Sequence, residues 1–186
     1  MVPTAAALRE TNHERKVVTM PHHTRDQVIN WLNDALSAEE ALIQNLGQQV
    51  DDAKEYPQIK KMIEEHIQES KQQADMVRNR IKALGGSPSS VKTAVGKVQG
   101  YFQGMGMKPA DDRLIKHLIA DHAAEHMEMA SYTALEEAAK FIGDNETAAM
   151  CAQIRQQEVA TAKKIEQAIP MVVRDYMAKK ERQKAA

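Results

Sequence analysis

The sequence predicts an all-α protein, a four-helix bundle built from two helical hairpins and a long crossover between them. Three observations lead there. Ala, Gln, Glu, Lys and Met are abundant and aromatic content is only 4%, a balance that favours helices over sheets. Apolar residues recur at steps of three and four through long stretches, the spacing of a single helical stripe. Gly85-Gly86 and Gly143 punctuate those stretches where helices would stop. With 186 residues and 42% hydrophobic content, the chain is long enough for one domain with a sizeable core.

Taken in order, residues 1–23 contain Pro3 and Pro21 and lack sustained periodicity, which predicts a flexible tail. His22 and His23 would be solvated there. Thr24-Arg-Asp-Gln27 matches a capping box, with Thr24 as the cap of helix A, expected to run to about Asp52. Its seam is Val28, Leu32, Ala35, Glu39, Leu42 and Leu46. Pro57 suits the first turn of helix B, which should continue to Leu84. The seam of helix B is apolar at both ends (Ile59, Ile63; Val77, Ile81) and polar in the middle (His66, Glu69/Ser70, Gln73).

Residues 87–109 form the connector, with a short amphipathic helix carrying Val91, Val95, Val98 and Phe102. Helix C is expected from about Pro109 to Ile142, and helix D from Asp144 or Asn145. Pro170 should break or kink helix D, closing the bundle domain 24–169 and leaving a short C-terminal helix and basic tail over 170–186.

Several function classes are excluded by composition. Net charge is −1 with no dense Lys/Arg stripe, so no nucleic-acid partner is expected. The one cysteine, Cys151, rules out an internal disulfide framework or a multi-cysteine metal site, and its place on an apolar stripe predicts a small core residue. No apolar run is long enough to span a bilayer, and no basic segment leads into a long apolar one. The expectation is a cytoplasmic protein without a membrane partner.

Chemistry enters where glutamates replace leucines. Glu39, Glu125, Glu128 and Glu158 each interrupt an otherwise apolar seam. A buried, unpaired carboxylate costs several kcal/mol, about 3–5 on broken-pair data, so several together demand a cation or shared protons. Carboxylates converging from facing helices are how bundles hold di-iron and di-manganese sites. The plainer reading of any one is a misphased seam and a salt-bridged residue at the bundle edge.

Around the four lies a second group. Glu69 and His66 share a face of helix B at i, i+3. Their order is the reverse of the usual Glu-x-x-His: Glu69 is followed by Gln72, and Glu158 by Thr161. His66 is either a nitrogen ligand or a hydrogen-bonded core histidine. Asp121, His122 and His126 cluster on helix C, where His126 points about 100° away from Glu125. His122 and His126 are therefore expected to support the site from its edge by hydrogen bonds. Tyr132, one turn beyond Glu128, either hydrogen-bonds a ligand carboxylate or is an ordinary core tyrosine.

Glu125-His-Met-Glu128-Met-Ala-Ser131-Tyr132 resembles the Glu-His-Tyr/Phe-Glu-Ile-Ala-Ser-Tyr segment of the YciE/YciF family, also called DUF892. Ser37-Ala-Glu39 is similar to its first-helix Ser-Ala-Glu, and His66-Ile-Gln-Glu-Ser70 to its His-Leu-Glu-Glu/Gln-Thr/Ser stretch. Glu158-Val-Ala-Thr161 falls where the family has a glutamate-rich fourth helix, so the resemblance covers about residues 25–168. It implies a ferritin-like, stress-induced bundle; some relatives bind iron or manganese, and one branch is a non-haem catalase. Carried over by position, Glu39, Glu69, Glu125, Glu128 and Glu158 would be metal ligands. Gln68 and Lys71 depart from the Glu and His that relatives carry there.

The expectation is thus a ferritin-like bundle with two iron or manganese ions and no organic cofactor. It would act on a small oxygen species, hydrogen peroxide or dioxygen, as a homo-oligomer, with a dimer expected. The rival is a non-catalytic stress or assembly protein whose bundle lacks a working metal centre.

Overall fold

A computed structural model describes residues 22–89 and 111–185. They form four helices: α1 (His22–Gln49), α2 (Pro57–Ala83), α3 (Arg113–Phe141) and α4 (Asn145–Ala185). The predicted connector helix and the N-terminal tail before His22 lie outside the described residues. No helix among the described residues is long and apolar enough to cross a membrane.

Contacts between helices give their directions. Gln49 meets Asp121 and Glu39 meets Tyr132, so α1 and α3 run antiparallel. Gln58 meets Met171, Glu69 meets Thr161 and Gln73 meets Glu158, so α2 and α4 do the same. The two hairpins, α1–α2 and α3–α4, complete the bundle. Ser89 donates to Asn33 Oδ1 (2.7 Å) near the start of α1, whereas Arg113 pairs with Asp52 at its far end. Residues 90–110, which join these two places, lie outside the described residues.

Glycines set two helix ends. Gly85 (φ 80°) and Gly143 (φ 72°) adopt the left-handed conformation that ends α2 and α3. Beyond each, an amide reaches back to the helix: Gly86 to the Ile81 carbonyl and Asp144 to the Ala139 carbonyl, both 2.9 Å. Asp144 also opens α4, its Oδ1 accepting from the Thr147 amide (3.0 Å). Gly86 serves a close approach, because a Cβ there would lie 2.6 Å from Ile29 Cγ2.

Two expectations need correction. Helix α1 begins at His22, so Thr24 lies inside its first turn rather than capping it. Pro170 does not end the fourth helix: α4 continues through it to Ala185, and among the described residues no separate C-terminal helix follows. A proline in a helix interior removes one backbone bond and costs about 3 kcal/mol. Burial of Ile165, Ala168 and Val172 around it offsets that cost, as do contacts farther along. Tyr56 donates to Asp175 (2.5 Å), Lys179 pairs with Glu55 (2.7 Å) and Lys180 with Asp111 (2.5 Å), docking the last turns on the bundle end.

The core is divided. Val28, Leu32, Leu36, Val77, Ile81, Leu135, Cys151 and Ile154 form one apolar cluster. Leu42, Leu46, Ile59, Ile63, Leu114, Leu118, Ile165 and Val172 form another. Burial pushes the Cys151 thiol up to about 12, so it stays an inert packing residue as predicted.

Two stability outcomes are expected in urea unfolding of the metal-free protein. Pro170→Ala should stabilise by about 1–3 kcal/mol, because the helix already runs through that position. Gly86→Ala should destabilise by about 1–3 kcal/mol, because the methyl must displace Ile29.

Candidate metal centre

Between the two apolar clusters lies a belt of polar side chains contributed by all four helices. It contains Glu39 from α1, His66 and Gln73 from α2, Asp121, Glu125 and Glu128 from α3, and Glu158 and Thr161 from α4, all buried. Glu125 is 0% exposed, Glu39 1%, Glu158 2% and Glu128 7%. Glu69 of α2 joins them half-buried. Each sits on the stripe that elsewhere on its helix carries Leu, Ile or Val, so the helical repeat that buries the apolar residues buries these too.

Some belt atoms are partnered. Tyr132 donates its hydroxyl to Glu39 Oε1 (2.7 Å) and Gln73 donates to Glu158 Oε1 (2.7 Å). Thr161 donates to Glu69 Oε2 (2.8 Å), and Gln49 to Asp121 Oδ1 (3.0 Å). Others are not: Glu39 Oε2, Glu128 Oε2 and His66 Nε2 are buried without a hydrogen-bond partner, and Glu125 has none except the Glu158 carboxyl, with which it shares a proton when either is protonated. His66 Nε2 lies 3.0 Å from Glu125 Oε1, close but not in hydrogen-bonding alignment. Among the described residues no Lys or Arg is ion-paired to any belt carboxylate, so ionised they would be uncompensated.

Electrostatics follows from that crowding. Burial, and then the neighbouring Glu158 charge, raise Glu39 to about 8. Burial raises Glu125 to about 8, and burial and the adjoining Glu125 carboxyl raise Glu158 to about 9. Glu128 is pushed well above the ordinary carboxylate range by burial and then by Glu39. Burial lifts Asp121 to about 6. Burial lowers His66, leaving a neutral imidazole. Neutral imidazole and carboxylate oxygens are the donors that iron and manganese take. Donor atoms of His66, Glu125 and Glu158 all lie within 4.8 Å of one another, a spacing one ion can close by small side-chain rotations.

A family model described as a domain of unknown function, DUF892, matches residues 23–178. The chain belongs to the DUF892 family. Among solved structures, a protein of Xanthomonas campestris pv. campestris is 28% identical, with a TM-score of 0.73 over 86% of this chain and 99% of that one. The E. coli stress protein YciF is 21% identical, with a TM-score of 0.70 over 81% of this chain and 97% of that one. A Bacillus anthracis structure described as ferritin-like diiron-carboxylate proteins is 18% identical, with a TM-score of 0.67 over 80% and 99% of the two chains. This DUF892 chain has the ferritin-like bundle fold.

In this DUF892 protein, Glu39, Glu125, Glu128, Glu158 and His66 converge in the belt, with Glu69 at its margin and Tyr132 hydrogen-bonded to Glu39. His122 and His126 do not join them: His126 is exposed, His122 half-buried, and the two rings pack against each other. The site also uses residues that were not singled out as ligands or supports. Asp121 is an acid on the α3 seam and Gln73 is a polar break in the α2 seam, so both were open to the same seam argument. Thr161, at the place a Glu-x-x-His imidazole would occupy, instead donates to Glu69. Gln49 had no signal, since a glutamine at a helix end ordinarily faces water.

The raised carboxyls give a pH dependence with a definite sign. Their folded values exceed the ordinary glutamate value of 4.5, so between that value and about 8–9 the folded chain holds more protons than the unfolded one. Stability from these groups is complete below 4.5 and lost as pH rises through about 8–9; His66, lowered by burial, works the other way. The urea midpoint of the metal-free protein is expected to fall as pH rises from about 5 to 9. Glu158→Gln, which cannot ionise, should flatten that slope; a midpoint that rises steadily over the window would contradict it.

Proposed function

We propose that the belt is a di-metal centre for two iron or manganese ions, serving a redox reaction on hydrogen peroxide or dioxygen. What carries this reading is the set of orphaned donors: buried carboxylate oxygens and one imidazole nitrogen converging without a cation. His66, Glu125 and Glu158 would hold one ion. Glu39 and Glu128, each with an unpartnered oxygen and both near Glu158, would hold the other. Redox-active ions, when bound, supply the electron transfer that these side chains cannot.

The chain's own residues have defined parts. The two apolar clusters close the belt on either side along the bundle, and a pocket lined by Trp31, Ala38, Met127, Glu128 and Tyr132 reaches it from the flank. Tyr132 fixes Glu39 by its hydroxyl, and Gln73 fixes Glu158, orienting both carboxylates before an ion arrives. In the metal-free chain the carboxyls held up to about 8–9 keep protons near neutral pH and would release them as an ion takes their oxygens. The described ferritin-like diiron-carboxylate proteins of Bacillus anthracis, which share the fold, support the choice of metal chemistry. A homodimer in the cytoplasm is the assembly and location proposed with it.

A second reading has its own support: Gln72 and Thr161 stand where imidazoles are usual, which favours a structural bundle without a working centre. Metal content separates the two. After reconstitution with Fe²⁺ or Mn²⁺, elemental mass spectrometry should find about two ions per chain, and Glu39→Ala/Glu128→Ala should lose at least one. Peroxide consumption should follow the loaded protein. No stoichiometric metal in the wild type would leave the structural reading, and Glu39→Leu would then be stabilising.

A further inference from the structure

Outside the belt, α3 presents a second group of metal-binding side chains, and this one faces solvent. His122 and His126 are four residues apart, which stacks them on successive turns of one helical face. Their rings meet edge to face, centroids 4.7 Å apart and planes inclined at 69°. The histidine ion pairs among the described residues involve His66 and His117 instead, so these two rings keep their nitrogens for other partners.

Their direction separates them from the belt. His122 follows Asp121 and His126 follows Glu125, each about 100° further round the helix than its buried neighbour. Asp121 is 1% exposed and Glu125 0%, whereas His126 is exposed and His122 half-buried. One ion cannot be shared across the helix between them.

We propose that His122 and His126 form a separate, solvent-facing site for one copper, nickel or zinc ion. Turned out of their edge-to-face contact, two imidazoles at i, i+4 can present a pair of nitrogen donors to one ion from a single helical face. Water completes the coordination on the open side. Nitrogen donors favour the late first-row ions, with copper highest, whereas the oxygen-rich belt suits iron or manganese. The protein thus offers two environments of different ligand chemistry on the two sides of α3.

The test uses the full chain and copper(II) as the probe. His13, His22 and His23 are first replaced by alanine, which removes competing imidazoles near the N-terminus. Electron paramagnetic resonance at one equivalent of copper is expected to show coupling to two imidazole nitrogens. His122→Ala/His126→Ala should abolish that signal, and His126→Ala alone should reduce it to one nitrogen. Glu39→Ala/Glu128→Ala should leave it intact, so failure of the di-metal reading and failure of this site give different results. Manganese uptake should be unchanged in the histidine variants, whose circular dichroism reports that the helix is retained. A copper signal that survives His122→Ala/His126→Ala, or that requires Glu39 and Glu128, overturns the proposal. So does the absence of nitrogen-coupled copper in the starting protein.

Discussion

The constraint on which this molecule depends is the burial of Glu39, Asp121, Glu125, Glu128 and Glu158 in one layer of the bundle, with no Lys or Arg ion-paired to them among the described residues. Removing a carboxylate from water is tolerated only if it is neutralised or paired. In the metal-free chain the first remedy acts: burial raises the carboxyls until protons remain on them near neutral pH. A bound cation would supply the second. The two remedies exclude each other at each oxygen, so protonation and metal occupancy must be linked.

That layer exists only because four helices keep register over their full length. A shift of one residue turns a side chain about 100° on its helix and would replace the belt with exposed neighbours. Register is held at both ends. At one, Arg80 bonds Thr147 (2.6 Å) and also pairs with Asp144 and Glu146, tying α2 to the turn between α3 and α4. At the other, Arg113 and His117 meet Asp52, while Lys179 and Lys180 bind Glu55 and Asp111. The exposed pairs of Lys179 and Lys180 individually contribute little, whereas Arg80 and Asp144 meet largely buried. Their value lies in position: they fix where each helix stops, and the apolar clusters on either side of the belt do the rest.

Much of this was legible in the sequence because glutamates on apolar seams are hard to explain otherwise. Glu39, Glu125, Glu128 and Glu158 all proved buried, and the polar interruption at His66–Gln73 faces them. The helix stops at Gly85 and Gly143 were readable because only their left-handed backbone favours glycine so strongly. Pro170 misled because local chemistry argued for a break, while the docking of Asp175, Lys179 and Lys180 on distant residues kept the helix going. Thr24 misled for a similar reason, a good capping pattern inside a helix that had already begun. Partnerships such as Thr161 with Glu69 and Gln49 with Asp121 depend on which helices become neighbours, and no single seam contains that information.

The most direct test of the linkage is the number of protons released when manganese binds the metal-free protein. Calorimetric titrations near pH 7 in buffers of different ionisation enthalpy give that number from the dependence of the observed heat on the buffer. Carboxyls held at about 8–9 should lose about one proton or more per ion. The release should disappear above about pH 10, where the carboxyls are already ionised. Stoichiometric binding without proton release at pH 7 would contradict the account, because the ion would then be held by groups other than the buried carboxyls.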